Sequence, residues 1–133
     1  MPDPAKQFIK AAKKGDVATL KVLLESDSKL LDARDSDGST ALHCATWKGL
    51  EATVAWLLSV GADVQTHNEN DHWGTTALHA AAHANQANIA QRLIDAGADV
   101  HAKDREGRTP LFHTSFHQAT AAEKVLLKHG AAK

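Results

Sequence analysis

The sequence predicts an all-α solenoid, in which helix-turn-helix units stack side by side and short hairpin-like turns join them. Two markers recur in step along its 133 residues. Thr40-Ala41-Leu42-His43 returns as Thr76-Ala77-Leu78-His79 and, more loosely, as Thr109-Pro110-Leu111-Phe112. Gly61-Ala62-Asp63-Val64 returns as Gly97-Ala98-Asp99-Val100 and again as Gly130-Ala131. Both markers are spaced 36 and then 33 residues apart, and each glycine follows its threonine by 21. Two independent markers that agree on one spacing define a repeat, and a repeat of this length means a stacked array. The three surplus residues fall between Val64 and Thr76, within His67-Asn68-Glu69-Asn70-Asp71-His72-Trp73.

Each unit reads as two helices. Thr40, Thr76 and Thr109 stand before apolar runs, where a hydroxyl caps a helix, and Pro110 takes the favoured first-turn place. The first helix is expected to run about eight or nine residues and to stop at Gly49, Asn85 or Gln118. Glycine and asparagine enter the left-handed conformation that closes a helix at little cost, whereas glutamine does not. The second helix carries Val54, Leu57 and Leu58, or Ile89, Leu93 and Ile94, on one face and ends at Gly61 or Gly97. Asp35-Ser36-Asp37-Gly38 and Asp104-Arg105-Glu106-Gly107 supply turns into the next unit. One such pair cannot bury its apolar face alone, so neighbours must stack.

These units, with D-x-x-G-x-T-P-L-H, a helix break, a Leu-Leu pair and G-A-D-V, resemble the ankyrin repeat over nearly the whole chain. The resemblance implies a single domain, 1–133, of four repeats at about 1–34, 35–67, 68–103 and 104–133. Phe8, Ala11, Ala12, Gly15, Val17, Leu23 and Leu24 match the family's positions in the first repeat, with Asp27 in place of a glycine. Polar residues cluster in the terminal repeats. Lys10 takes the place of Cys44 and Ala80, while His113, Thr114, Ser115 and Glu123 take those of Cys44, Ala45, Thr46 and Val54. A polar outer face ends a stack in water, so a complete, self-capped four-repeat monomer is expected.

Composition narrows the function. Fifteen Lys+Arg against sixteen Asp+Glu give a formal charge of −1, which offers no long-range attraction to nucleic acid or an anionic membrane. No apolar run is long enough to span a bilayer, and the first residues contain no apolar leader. The single cysteine, Cys44, excludes an internal disulfide and fits a reducing compartment. A cytoplasmic location is expected, or an exported form if a leader has been trimmed.

No catalytic pattern is present. His43 and Cys44 are neighbours on a helix, so their side chains diverge, and no nucleophile elbow or phosphate loop occurs. His79 and His83, and His113 and His117, are each four apart on one helix side, yet no carboxylate or thiolate at zinc-like spacing joins them. In the family, the histidine at positions 43 and 79 ties down the preceding turn. Neither a metal nor a cofactor is therefore expected, and the chain reads as a non-enzyme.

The resemblance implies binding of a partner protein through a concave face of turn tips and first-helix ends. On that face Trp47, His83 and Phe116 would form a ladder of one ring per repeat, with Lys48 and His117 beside it. Asp37, Ser39, Arg105 and Arg108 belong to the turns, and the enlarged third turn adds Asn70, Asp71, His72 and Trp73. Trp56, on a second helix, is assigned to the core. The two middle repeats are acidic, at −3 and −2, against +2 for each terminal one. That favours a partner with a basic protrusion, unless these acids serve as helix caps and solvated surface. A narrower version is a small inhibitor or immunity-like protein that blocks an enzyme with the third-repeat turn around Trp73.

Overall fold

A computed structural model describes residues 3–36, 38–68, 74–116 and 118–131. It contains four helix pairs: α1 (Pro4–Lys14) with α2 (Val17–Ser26), α3 (Ala41–Trp47) with α4 (Glu51–Ser59), α5 (Ala77–His83) with α6 (Ala87–Asp95), and α7 (Pro110–His113) with α8 (Thr120–Lys128). A 3-10 turn, Ser28–Asp32, follows α2. The first helices pack in the order α1, α3, α5, α7, and α4, α6, α8 form a second layer. The described residues contain no β-strand; one isolated bridge pairs Arg34 with Thr40 across the second repeat's turn.

The first helices of the last three repeats are shorter than the sequence suggests, with α3 and α5 seven residues long and α7 four. Their ends explain the shortening. The chain leaves each first helix through a left-handed residue: Gly15 (φ 74°), Gly49 (φ 71°), Asn85 (φ 56°) or Gln118 (φ 51°). The residue after it donates back to a helix carbonyl, Asp16 to Ala11, Leu50 to Ala45, Gln86 to Ala81 and Ala119 to Thr114. This bond closes a helix and reverses the chain. Gln118 is held there at a backbone cost that glycine would avoid.

A single apolar seam runs through the stack. Phe8, Leu42, Leu78 and Leu111 line it from the first helices, and Leu20, Leu57, Leu93 and Leu126 from the second. Trp56 packs against this core but stays half-buried, so it seals the edge of the seam and does not fill it. Cys44 is buried, with its sulfur 3.7 Å from the Asp35 carboxylate.

The fourth repeat departs from expectation. Lys10 is exposed at the other end of the stack. His113 and Thr114, expected on a polar outer face, are both 2% exposed. His113 donates from Nε2 to the buried Asp104 carboxylate at 2.9 Å, and the Thr114 hydroxyl donates to the Leu111 carbonyl at 2.6 Å. Burial is tolerated because each polar group meets a partner inside. Among the four residues only Ser115 is exposed, and Glu123 is half-buried.

Candidate functional site

The second, third and fourth repeats each enter their first helix through a turn built on one residue. Asp35 accepts the Ser39 amide on its carboxylate, and Asp104 accepts the amides of Glu106 and Arg108. Asn68 holds the same register in the third repeat, where its amide donates to the Thr75 carbonyl at 2.8 Å. The three extra residues therefore lie between Asn68 and Thr75, within the stretch indicated by the spacing.

His43 and His79 join successive repeats. His43 Nδ1 accepts from the Thr40 amide (3.3 Å) and faces its hydroxyl (2.9 Å), while Nε2 donates to the Thr75 carbonyl of the next turn at 3.1 Å. His79 repeats the arrangement with Thr76 and with the Arg108 carbonyl at 2.9 Å. Each ring thus fixes its own helix start and also the following turn, where the family pattern implied only the preceding one. Burial pushes both imidazoles down to about 4, although their carbonyl partners favour the charged form. Both are neutral at pH 7.

Three rings align on the open side of the first helices. Trp47 and His83 meet edge-on with centroids 5.2 Å apart, and His83 and Phe116 lie tilted at 5.2 Å. Trp47 is 42% exposed and Phe116 41%, with His83 half-buried between them. The expected ladder is therefore present, one ring from each of three repeats, and it presents aromatic surface to solvent. Lys48 is exposed beside Trp47, at the end of α3.

The other expected residues divide. Arg105 is exposed, and its side-chain stem lies over Gly74, where a Cβ would fall 2.5 Å from Cγ. Arg108 is half-buried, paired with Asp104 at 3.2 Å and Glu106 at 3.5 Å. Ser39 does not join the open face. It is buried because its amide and carbonyl both bond Asp35 to close the turn. Asp37, Asn70, Asp71, His72, Trp73 and His117 lie outside the described residues.

Phe112 is a ring the sequence analysis did not assign to the site. It is 46% exposed, 5.6 Å from Phe116, with the Arg108 guanidinium carbon 5.3 Å from its centroid. The signal was available: phenylalanine stands where the second and third repeats have their tying histidine.

Charge is not arranged as a plain acidic middle. Glu51 pairs with Arg92 at 3.0 Å and Asp35 with Lys13 at 3.5 Å. Asp95 accepts from Gln91, and Asp63 and Asp99 accept the amides of Gln65 and His101. These acids are occupied with pairing and turn formation, which weakens the case for a basic partner.

Among the described residues one buried cluster has metal-ligand chemistry: His79, Asp104 and His113, whose ligand atoms lie within 4.8 Å of one another. Its donors are already committed. His79 uses Nδ1 toward Thr76 and Nε2 toward Arg108, so a cation would have to break an inter-repeat bond. Burial raises the Asp104 carboxyl, but the Arg108 and Glu106 amides, His113 and the Arg108 charge outweigh it and hold its pKa below the usual range. The cluster is a hydrogen-bonded structural core under the ladder, with His83 and His113 centroids 6.0 Å apart.

A family model of ankyrin repeats (three copies) matches residues 6–68 and 64–133. The serine/threonine-protein kinase VIK of Arabidopsis thaliana is 44% identical over 62 residues, 47% of this chain and 14% of the kinase. Ankyrin repeat domain-containing protein 29 of Danio rerio is 39% identical over 59 residues, 44% of this chain and 20% of that protein. The chain thus matches only a small part of either relative, and the kinase match carries no kinase activity with it. Ankyrin repeats generally mediate protein–protein interaction and are typically non-catalytic. No helix among the described residues is long and apolar enough to cross a membrane. With the family model matching nearly every residue and the stacked helix pairs in place, the chain belongs to the ankyrin-repeat family.

Proposed function

We propose that this protein is a non-catalytic binding module that docks a partner protein along the face bearing Trp47, His83 and Phe116. One observation carries the reading: three rings from three repeats are aligned at 5.2 Å intervals, with Trp47 and Phe116 about two-fifths exposed. Aromatic anchors of this kind dominate interface energetics, at about 2 kcal/mol or more each when a partner covers them. The module acts as a cytoplasmic monomer, with no cofactor. The enlargement between Asn68 and Thr75 favours a second reading, in which the bound partner is an enzyme whose site the third turn obstructs.

A photo-crosslinking amino acid at position 116 tests the proposal in cells. It should trap a discrete protein, whereas the same group at exposed Val22 on α2 should not. Equal trapping at both positions, or none at 116, contradicts it.

A further inference from the structure

Cations stand at both ends of the ring ladder. By register, Lys13 occupies the rung before Trp47, and Lys14 occupies the place that Lys48 holds beside it. All three are exposed, and Lys13 is the one that reaches Asp35. At the far end Arg108 covers Phe112, which touches Phe116, and exposed Lys103 and Arg105 lie on the same turn.

The described acids offset part of this pattern, since Asp35 pairs with Lys13 and both Asp104 and Glu106 pair with Arg108. The exposed Lys14, Lys48 and Lys103 carry the rest. Asp104 is buried beneath the rings, and Glu106 pairs with Arg108. Glu51 and Asp95 belong to the second helices, and Asp63 and Asp99 to the loops that follow them. The four first helices contain no Asp or Glu, whereas in the second helices Glu25, Glu51, Asp95 and Glu123 are matched by Lys21, Arg92, Lys124 and Lys128.

Rung spacing adds a geometric condition. Centroids 5.2 Å apart are close to the roughly 5.4 Å advance of one helical turn, and shorter than the ~6.6 Å between same-face residues of a strand. An amphipathic helix laid along the ladder presents one apolar side chain per rung.

We propose that the ladder receives an acidic amphipathic helix, with aliphatic or aromatic side chains on the rings and Asp or Glu toward both ends. This rests on the reading of the ladder as the binding face and adds the chemistry of the partner. Charge complementarity of this kind chiefly speeds encounter and fixes the register of the helix on the ladder.

The test titrates the whole chain with two labelled synthetic peptides by fluorescence anisotropy. Both carry the same Leu/Phe pattern at helical spacing, flanked by Glu in one and Lys in the other. The Glu-flanked peptide should bind about tenfold tighter, since exposed charge pairs each contribute little and several must add to that ratio. Lys48→Glu with Arg105→Glu, two exposed positions that leave the core intact, should reverse the preference. Tighter binding of the Lys-flanked peptide overturns the charge assignment and leaves the ladder as the binding face. Tighter binding of a labelled oligothymidylate, titrated in parallel, overturns the protein partner. Undiminished binding of the Glu-flanked peptide to a Trp47→Ala/Phe116→Ala variant moves the site elsewhere and overturns both readings. No binding of the Glu-flanked peptide to the parent overturns the acidic helix.

Discussion

The third and fourth repeats place different rings at the same register and put them to different uses. His79 is fully buried, its two nitrogens bridging Thr76 and the Arg108 carbonyl of the next turn. Phe112, at the equivalent place in the fourth repeat, is 46% exposed and touches Phe116 and Arg108. One position farther on, Ala80 is a small apolar filler, whereas His113 is buried against Asp104. The exposed ring adds aromatic surface beside Phe116, and the buried ones hold the stack together. A residue's work in this molecule follows from the unit that covers it as much as from its type.

Four substitutions sharpen the contrast. Leu93→Ala should have the largest effect, about 2–5 kcal/mol of unfolding free energy by denaturant titration, because it opens a cavity in the seam. His79→Leu comes next, at about 2–3 kcal/mol, since it strands the Thr76 amide and the Arg108 carbonyl in a buried site. Phe112→Ala should cost about 1 kcal/mol or less, because nearly half of that ring is already in water. A loss equal to that of His79→Leu would erase the distinction between the two registers. The fourth effect has the opposite sign. The Thr46 hydroxyl is buried with no hydrogen-bond partner among the described residues, and Ala12 and Ala82 hold its register elsewhere. Thr46→Ala should therefore raise the melting midpoint by a few degrees, about 1 kcal/mol.

Acid should separate the same two registers. His43 and His79 have folded pKa values near 4, below the unfolded value of about 6.5. The unfolded chain thus takes up protons first as pH falls. Stability is full above pH 6.5 and declines toward pH 4, by up to about 1.4 kcal/mol per unit for each ring. Thermal melts across this range should show the decline in the parent, and a shallower one in a His79→Leu variant. An unchanged slope would contradict the assignment of that ring.

Most of the fold was legible because repetition makes the signal redundant. The threonine and glycine markers fixed the units, and the bond from Asn68 to Thr75 falls around the surplus residues that the spacing located. The ladder was legible for the same reason: Trp47, His83 and Phe116 share one register. The fourth repeat was misread at His113 and Thr114 because polar residues suggest an outer face, whereas burial depends on partners distant in sequence. Ser39 was misplaced because side-chain type says nothing of a turn that folds its backbone inward onto Asp35. Acid counts per repeat left two readings open, because a count ignores which acids pair or close a turn, as Glu51, Asp63 and Asp99 do.

The claim that matters most is that the ladder is open until a partner covers it. Trp47 emission, isolated by Trp56→Phe and Trp73→Phe, can be quenched with acrylamide in the free chain and in complex with the protein trapped at position 116. Efficient quenching when free, with strong protection in the complex, is the result expected of an exposed rung in a binding groove. Protection in the free chain, or quenching unchanged by the partner, would show that the ladder is either core or bystander.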